Sequence, residues 1–503
     1  MKRMRPVTRS PGMNKHCRRA SLVAALWAGA TTPAIRAQEP QVLPFAITGV
    51  NVIDVEAGAV LANRTVMVEG GRIRSVTNGA QTPAGVRMID GTGKYLIPGL
   101  WDMHAHMRHP LAPDLIMPQF IANGVTGVRE MNSDCDQAAD GQVCLRQMQE
   151  WRAQIERGER IGPRLLALSS FIVNPPWNYN VTEQQVQQLV ARFDSQGVDL
   201  IKVYYRLSPD ALRMFIDEAK KHDIAVSGHL PLRMTSIEAS NAGLRSLEHA
   251  RDFLFDCFPG SQEFRSTAMS QNPPMTVMRS MVEEHEPTLC DAVFRAFVSN
   301  ETWYVPTHVT RRMDAFADDS TFRNDARSKY IPADAWKEWQ ADADRMVALD
   351  PSPEGRRVMR SFYEKGLELT RRAHAAGVRI MIGTDAGDTY VFFGSGLHDE
   401  LGEFVKAGLA PADALRAATI RPAEFLGLDA EYGSVQAGRH ADLVLLDANP
   451  LESIANTRAI DAVILGGRIL DRAQLDRMLQ EVESGIAARA TGEMQQRDPP
   501  PTP

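Results

Sequence analysis

The stretch YLIPGLWDMHAHM, residues 95–107, ends an apolar run on two histidines one residue apart, and its reading decides the fold. A His-x-His pair puts both imidazoles on one face of a strand, because strand side chains alternate with period two. By itself the pair is a weak signal for two metal ligands, because two such rings can be satisfied by carbonyls and water. The rest of the chain has to supply matching ligands.

Downstream, apolar runs alternate with helical stretches, and eight candidate strands finish in small or polar residues. They are IPGLWDMHAH, GVTGVREM, PRLLALSS, LIKVYY, IAVSGHL, LRSLEHA, WYVPTHV and RIMIGTDAG. Eight such strands with intervening helices predict an α/β fold, a (β/α)8 TIM-like barrel over residues 96–428, with its active site at the C-terminal strand ends. Short alternating segments with Gly-rich turns occupy residues 45–95 and return at residues 429–475. They predict one small β-sandwich built from both ends of the chain. Residues 476–503 read as a C-terminal helix and a disordered tail, RDPPPTP.

The residues that finish the strands carry the chemistry. His104 and His106 end the first, Lys202 lies in the fourth, His229 ends the fifth, His249 the sixth and Asp385 the eighth. Taken singly, Lys202 reads as a salt bridge or a snorkelling stem, and each of the others as a satisfied core residue. Six of them at the same ends of successive strands predict a metal site. Tyr205 and His308 are candidates to polarise the substrate carbonyl or hold a carboxylate, with packing as the alternative for Tyr205. The loop FIVNPPWNYN, residues 171–180, lines a pocket for an apolar acyl group or is a Pro-stiffened surface loop. Residues 310–371 are a lid or a plain insertion.

Composition bounds the partners. A chain of 503 residues, 44% apolar and 23% charged, is an ordinary globular protein with room for a barrel and a smaller domain. Residues 1–37 hold eight Lys/Arg, no acid and the run SLVAALWAGATTPAI. This predicts a bacterial-type signal peptide cut after Ala37, with Met13 as an alternative start and a secreted or periplasmic product. The run is too short to span a bilayer, and Cys17 precedes it, where no lipid acceptor would lie, so no stable membrane association is expected. Without these residues 48 basic face 62 acidic side chains, a net charge of −14, which argues against nucleic acid as a partner. The remaining cysteines form two candidate disulfides, Cys135–Cys144 and Cys257–Cys290, with free thiols as the alternative.

The elements PGLWDMHAH, IKVY, SGHL, EH and GTDAG are followed by LHDELGEFVKAGLAPADALRAATIRPAEFLGL and GSVQAGRHADLVLLDANPL. Together they resemble the amidohydrolase superfamily, in its imidazolonepropionase-like and prolidase-like branch with two metals, over residues 45–470. The resemblance implies that His104, His106 and Asp385 bind one divalent ion and that His229 and His249 bind a second. It also implies that Lys202, carboxylated by CO2, bridges the two. Zinc is the default ion, and manganese, cobalt and iron suit the same donors. A bridging water would become hydroxide near neutral pH and attack the carbonyl, while Asp385 passes the proton to the leaving nitrogen.

The implied substrates are small-molecule amides: dipeptides, N-acyl amino acids or aryl amides such as ochratoxin. Lactone or ester hydrolysis on the same site is the alternative, and a non-catalytic binding protein on a retired hydrolase barrel is a third reading. Similar single-metal deaminases carry a Glu three residues after the fifth-strand histidine. Here Leu232 stands there, and Lys202 favours two metals. The resemblance allows a homo-oligomer, although no interface stripe in the chain specifies one.

Overall fold

The computed structural model describes residues 43–79, 85–136, 142–177 and 179–490. The expected signal peptide, the alternative start at Met13 and the tail RDPPPTP lie outside the described residues. Both ends of the chain meet in one sheet. Its N-terminal strands are β1 (Phe45–Asp54), β2 (Ala59–Glu69), β3 (Arg72–Asn78), β4 (Arg87–Asp90) and β5 (Tyr95–Pro98).

The middle of the chain supplies β6 (Leu100–Ala105), β7 (Val125–Glu130), β8 (Arg164–Leu168), β9 (Leu200–Val203), β10 (Ala225–Gly228), β11 (Ser246–Glu248), β12 (Trp303–Val305) and β13 (Arg379–Ile380). The C-terminal part returns as β14 (Leu443–Leu446), β15 (Ile460–Leu465) and β16 (Arg468–Asp471). Strand order in the terminal sheet is β16-β15-β14-β5-β1-β2-β3, with β4 beside β1. The antiparallel β5–β14 ladder, Tyr95 opposite Leu446 and Pro98 opposite Leu443, joins the ends. Alternation sorts these side chains between two cores: Ile47, Val66, Val68, Leu443 and Leu445 are buried in one cluster, while Val444 and Leu446, alternating with them on β14, pack into the main core.

The eight central strands coincide with the eight apolar runs and form two parallel sheets, β6-β7-β8 and β13-β12-β11-β10-β9. Isolated bridges Ser169–Leu200 and Val173–Val203 bring the end of β8 beside β9. On the other side, Met103 N donates to Ile382 O at 3.0 Å and Asp385 N to His104 O at 2.7 Å, so the chain after β13 lies along β6. Between the two sheets the pairing consists of isolated bridges and single hydrogen bonds of this kind, the Ala105–Ala386 bridge among them.

Local signals set the helices between strands. Thr182 and Gln185 form a capping box at the start of Glu183–Gln196, and Thr235 and Glu238 another at Ser236–Ala242. Ser208 caps Pro209–Lys221, whose proline sits in the first turn. The segment 310–371 is mostly helical and includes Ala333–Ala348 and Pro353–Ala375. The helix Arg472–Ala490 packs Val482 and Ile486 against Leu115. Among the described residues no helix is long and apolar enough to cross a membrane. Both expected cystine pairs are formed, Cys135–Cys144 and Cys257–Cys290.

Candidate active site

Six side chains from five strand ends converge on one cavity of about 390 Å³. His104 is fully buried on β6, and His106 follows one residue beyond the strand end. His106 Nε2 lies 2.9 Å from Asp385 Oδ1, and His104 Nε2 lies 3.5 Å from the same oxygen. Ligand atoms of these three residues lie within 4.8 Å of one another. Lys202 Nζ, from β9, stands 3.2 Å from His104 Nε2. His229 and His249, past β10 and β11, face each other with their Nε2 atoms 2.9 Å apart. His249 and Asp385 both adopt left-handed backbone, at φ 75° and 66°. Such strain persists only where surrounding structure enforces it, and it turns both side chains off their strands into the cavity.

Outer partners decide which nitrogen points inward. His104 Nδ1 donates to Glu248 Oε2 at 2.9 Å, and Gln271 Oε1 accepts from His229 Nδ1 at 3.1 Å. Each ring therefore carries its proton outside and presents an Nε2 lone pair to the cluster. His249 Nδ1 lies 2.8 Å from Thr307 Oγ1. His106 Nδ1 faces Glu130 Oε1 at 3.5 Å, too far for a good hydrogen bond. Two imidazole nitrogens at 2.9 Å repel unless a proton or a cation lies between them. With a carboxylate and two more imidazoles alongside, the donor set fits a divalent ion of the zinc type.

The electrostatics match that donor set. Burial, with the nearby Lys202 charge, holds His104 down at about 4. Burial also keeps His229 and His249 well below the ordinary imidazole value, so burial favours the neutral form of all three rings. His106 moves up to about 9: burial opposes its charge, but the Asp385 and Glu130 carboxylates outweigh it. Carboxylates that draw a proton onto an imidazole are equally suited to a metal cation. Burial lowers Lys202 to about 8.

Two expected residues are not brought into the cluster. β12 ends at Val305, and His308 is the first residue of the helix His308–Phe316. Its Nε2 bonds Thr370 Oγ1 at 2.8 Å, inside the helical layer. Tyr205 packs on Trp177, and it is Tyr204 whose ring lies 3.9 Å from that of His229. Period two accounts for this, because Tyr204 shares its face with Lys202 and Tyr205 does not. Alternation along DLIKVYY was a sufficient signal for Tyr204. Among the described residues of the loop 171–180 Ile172 alone reaches the cavity wall, and Arg311 reaches it from the segment 310–371. Arg251, Gln271 and Asp388 also line it, and no periodic pattern marks them.

The family model described as Amidohydrolase family matches residues 95–470, and the protein belongs to that family. A dihydroorotase from Trichlorobacter lovleyi is 44% identical over 64 residues, 13% of this chain. That match spans 15% of the dihydroorotase's length. Among solved structures, a Bifidobacterium longum protein provisionally named a prolidase is 25% identical, with a TM-score of 0.63, and the match covers 88% of this chain and 100% of that one. A bottromycin amidohydrolase is 21% identical, with a TM-score of 0.66, over 88% of this chain and 90% of its own; at that identity it speaks for the fold alone.

Proposed function

We propose that the protein is an exported metal-dependent hydrolase that cleaves C–N amide bonds in dipeptides and N-acyl amino acids. In this reading the two parallel sheets make up one (β/α)8 barrel, with the terminal sheet as its small β domain. The observation that carries it is the convergence of four imidazoles, the Asp385 carboxylate and the buried Lys202 amine on one cavity.

His104, His106 and Asp385 would hold one divalent ion, and His229 and His249 a second. Ions bound there supply Lewis-acid polarisation of a carbonyl and a lowered water pKa. Among the described residues no carboxylate stands at hydrogen-bond distance from Lys202 to neutralise it, and its amine is partly deprotonated at neutral pH because burial disfavours the charge. A neutral amine adds to CO2, forming an N–C bond and releasing one proton, and the product is a carbamate anion. That exchanges a costly buried cation for oxygen donors beside His104.

Asp385 has two oxygens with different surroundings. Oδ1 is engaged by His106, while Oδ2 lies 3.8 Å from His249 Nδ1. A carboxylate so divided can take a proton from water and return it to the leaving nitrogen, which departs poorly as an anion. Two disulfides among the described residues support export to an oxidising compartment.

The test is elemental analysis of the purified protein, then mass-spectrometric screening of the zinc- and bicarbonate-treated enzyme against dipeptides, N-acyl amino acids, aryl amides and lactones. Two ions per chain with release of free amino acids is the expected result. Lactone or ester opening with every amide intact would reassign the reaction. Protein that takes up no metal and turns over nothing would make it a binding protein.

A further inference from the structure

We propose that Arg251, steadied by Gln271, binds a carboxylate of the substrate, so that the enzyme selects amides whose amine half carries a free carboxylate. The proposal rests on the hydrolase reading above and adds the group by which the site chooses its substrate.

Arg251 follows His249 by two residues and lines the same cavity, with 7% of its surface exposed. Its Nη2 donates to Gln271 Oε1, and its Nε is buried with no hydrogen-bond partner. No carboxylate forms an ion pair with it among the described residues, although Asp252 and Asp314 exert a weaker attraction. The second guanidinium at the cavity, Arg311, is already paired with Asp314 and donates from Nε to Thr310 Oγ1 at 3.2 Å. A guanidinium taken out of water without a counter-charge destabilises the free protein, so its place in the wall of a reaction cavity calls for an anion that arrives with the substrate.

Position sets the kind of anion. Gln271 Oε1 accepts from both His229 Nδ1 and Arg251 Nη2, so one amide oxygen ties the arginine to the ligand cluster. An anion held there lies close to the scissile bond. In an N-acyl amino acid or a dipeptide only one carbon separates the scissile nitrogen from the α-carboxylate. The planar guanidinium fork suits a carboxylate in that position.

The experiment compares N-acetyl amino acids with their carboxamides, which match them in size and lack the negative charge, on wild-type and Arg251→Gln protein loaded with zinc and bicarbonate. Wild type is expected to favour the acid by about 100-fold in kcat/KM, chiefly through KM, the scale of one buried charged partner. In Arg251→Gln the ratio should fall to within about threefold of unity, and Arg251→Lys should lie between. The N-acetyl amino acid should raise the melting temperature of wild type and not of Arg251→Gln. Equal cleavage of acid and carboxamide by wild type, or a ratio that survives in Arg251→Gln, overturns the proposal. If Arg251→Gln melts well below wild type, the Arg251→Lys ratio decides. If neither compound is hydrolysed the hydrolase reading fails, and calorimetric titration of the same pair decides separately. Acid-selective binding lost in Arg251→Gln upholds the carboxylate site, and equal or absent binding removes it.

Discussion

Arg129 Nη2 reaches both carboxylate oxygens of Glu248, at 2.8 and 2.9 Å, with both side chains fully buried. The same carboxylate takes the Nδ1 proton of His104 at 2.9 Å and the Ser246 hydroxyl at 2.6 Å. The pair therefore sets the tautomer and tilt of a candidate metal ligand from behind, and it lies outside the cavity wall.

Glu248→Gln should weaken metal binding about 10- to 100-fold, the usual effect of losing a partner that orients a ligating histidine. Competition with a chromophoric chelator measures it. Unaltered affinity would mean that His104 is oriented by packing alone.

Lys202→Ala should lower hydrolysis by about 10³-fold and reduce the bound metal below two ions per chain. Added short carboxylic acids should restore part of both, since they bring back anionic oxygen donors. Full metal content and activity in the variant would exclude a bridging role for Lys202.

Tyr204→Phe and Tyr205→Phe make a direct comparison. The Tyr204 ring abuts His229, whereas Tyr205 packs on Trp177. Tyr204→Phe is expected to reduce kcat/KM about tenfold, the scale of one hydrogen bond, and Tyr205→Phe to have a smaller effect. The opposite order would return the role to Tyr205.

Gly228 immediately precedes His229 at φ 141°, and a Cβ there would stand 2.2 Å from Val203 O across the β9–β10 ladder. Gly228→Ala should cost about 3 kcal/mol in urea unfolding, because backbone has to move to relieve the contact. A small loss would mean that the two strands separate easily.

Asp399 gives a pH prediction remote from the site. Burial disfavours its charge, but Arg327 at 2.8 Å, Arg458 and Arg312 outweigh burial and hold its pKa below the ordinary value. A depressed carboxylate pKa stabilises the fold above the unfolded-state value of about 4, and that contribution is lost as pH falls further. Asp399→Asn should cost about 3 kcal/mol at pH 7, and the gap from wild type should narrow below about pH 4. Denaturant unfolding at both pH values decides it, and a gap independent of pH would refute the assignment.

Much of the architecture was legible because it is written locally. Apolar runs with polar or small ends identified all eight central strands and placed His104, His106, Lys202, His229, His249 and Asp385 at one end of them. The capping boxes at Thr182 and Thr235 follow from residues three apart. His308 misled because Thr307, at φ 46°, turns the chain into a helix two residues after β12, and nothing in PTHV announces a left-handed threonine.

What the sequence by itself determined is thus the donor set and the direction in which each strand presents it. Only the tertiary structure decided what stands behind those donors. Glu248 meets His104 across 144 residues, Arg129 meets Glu248 across 119, and Gln271 arrives beside Arg251 and His229 on a connection with no periodic pattern. A side chain's direction is fixed by its own few residues of backbone. Its partner is fixed by strand order, register and loop packing, which are properties of the whole chain.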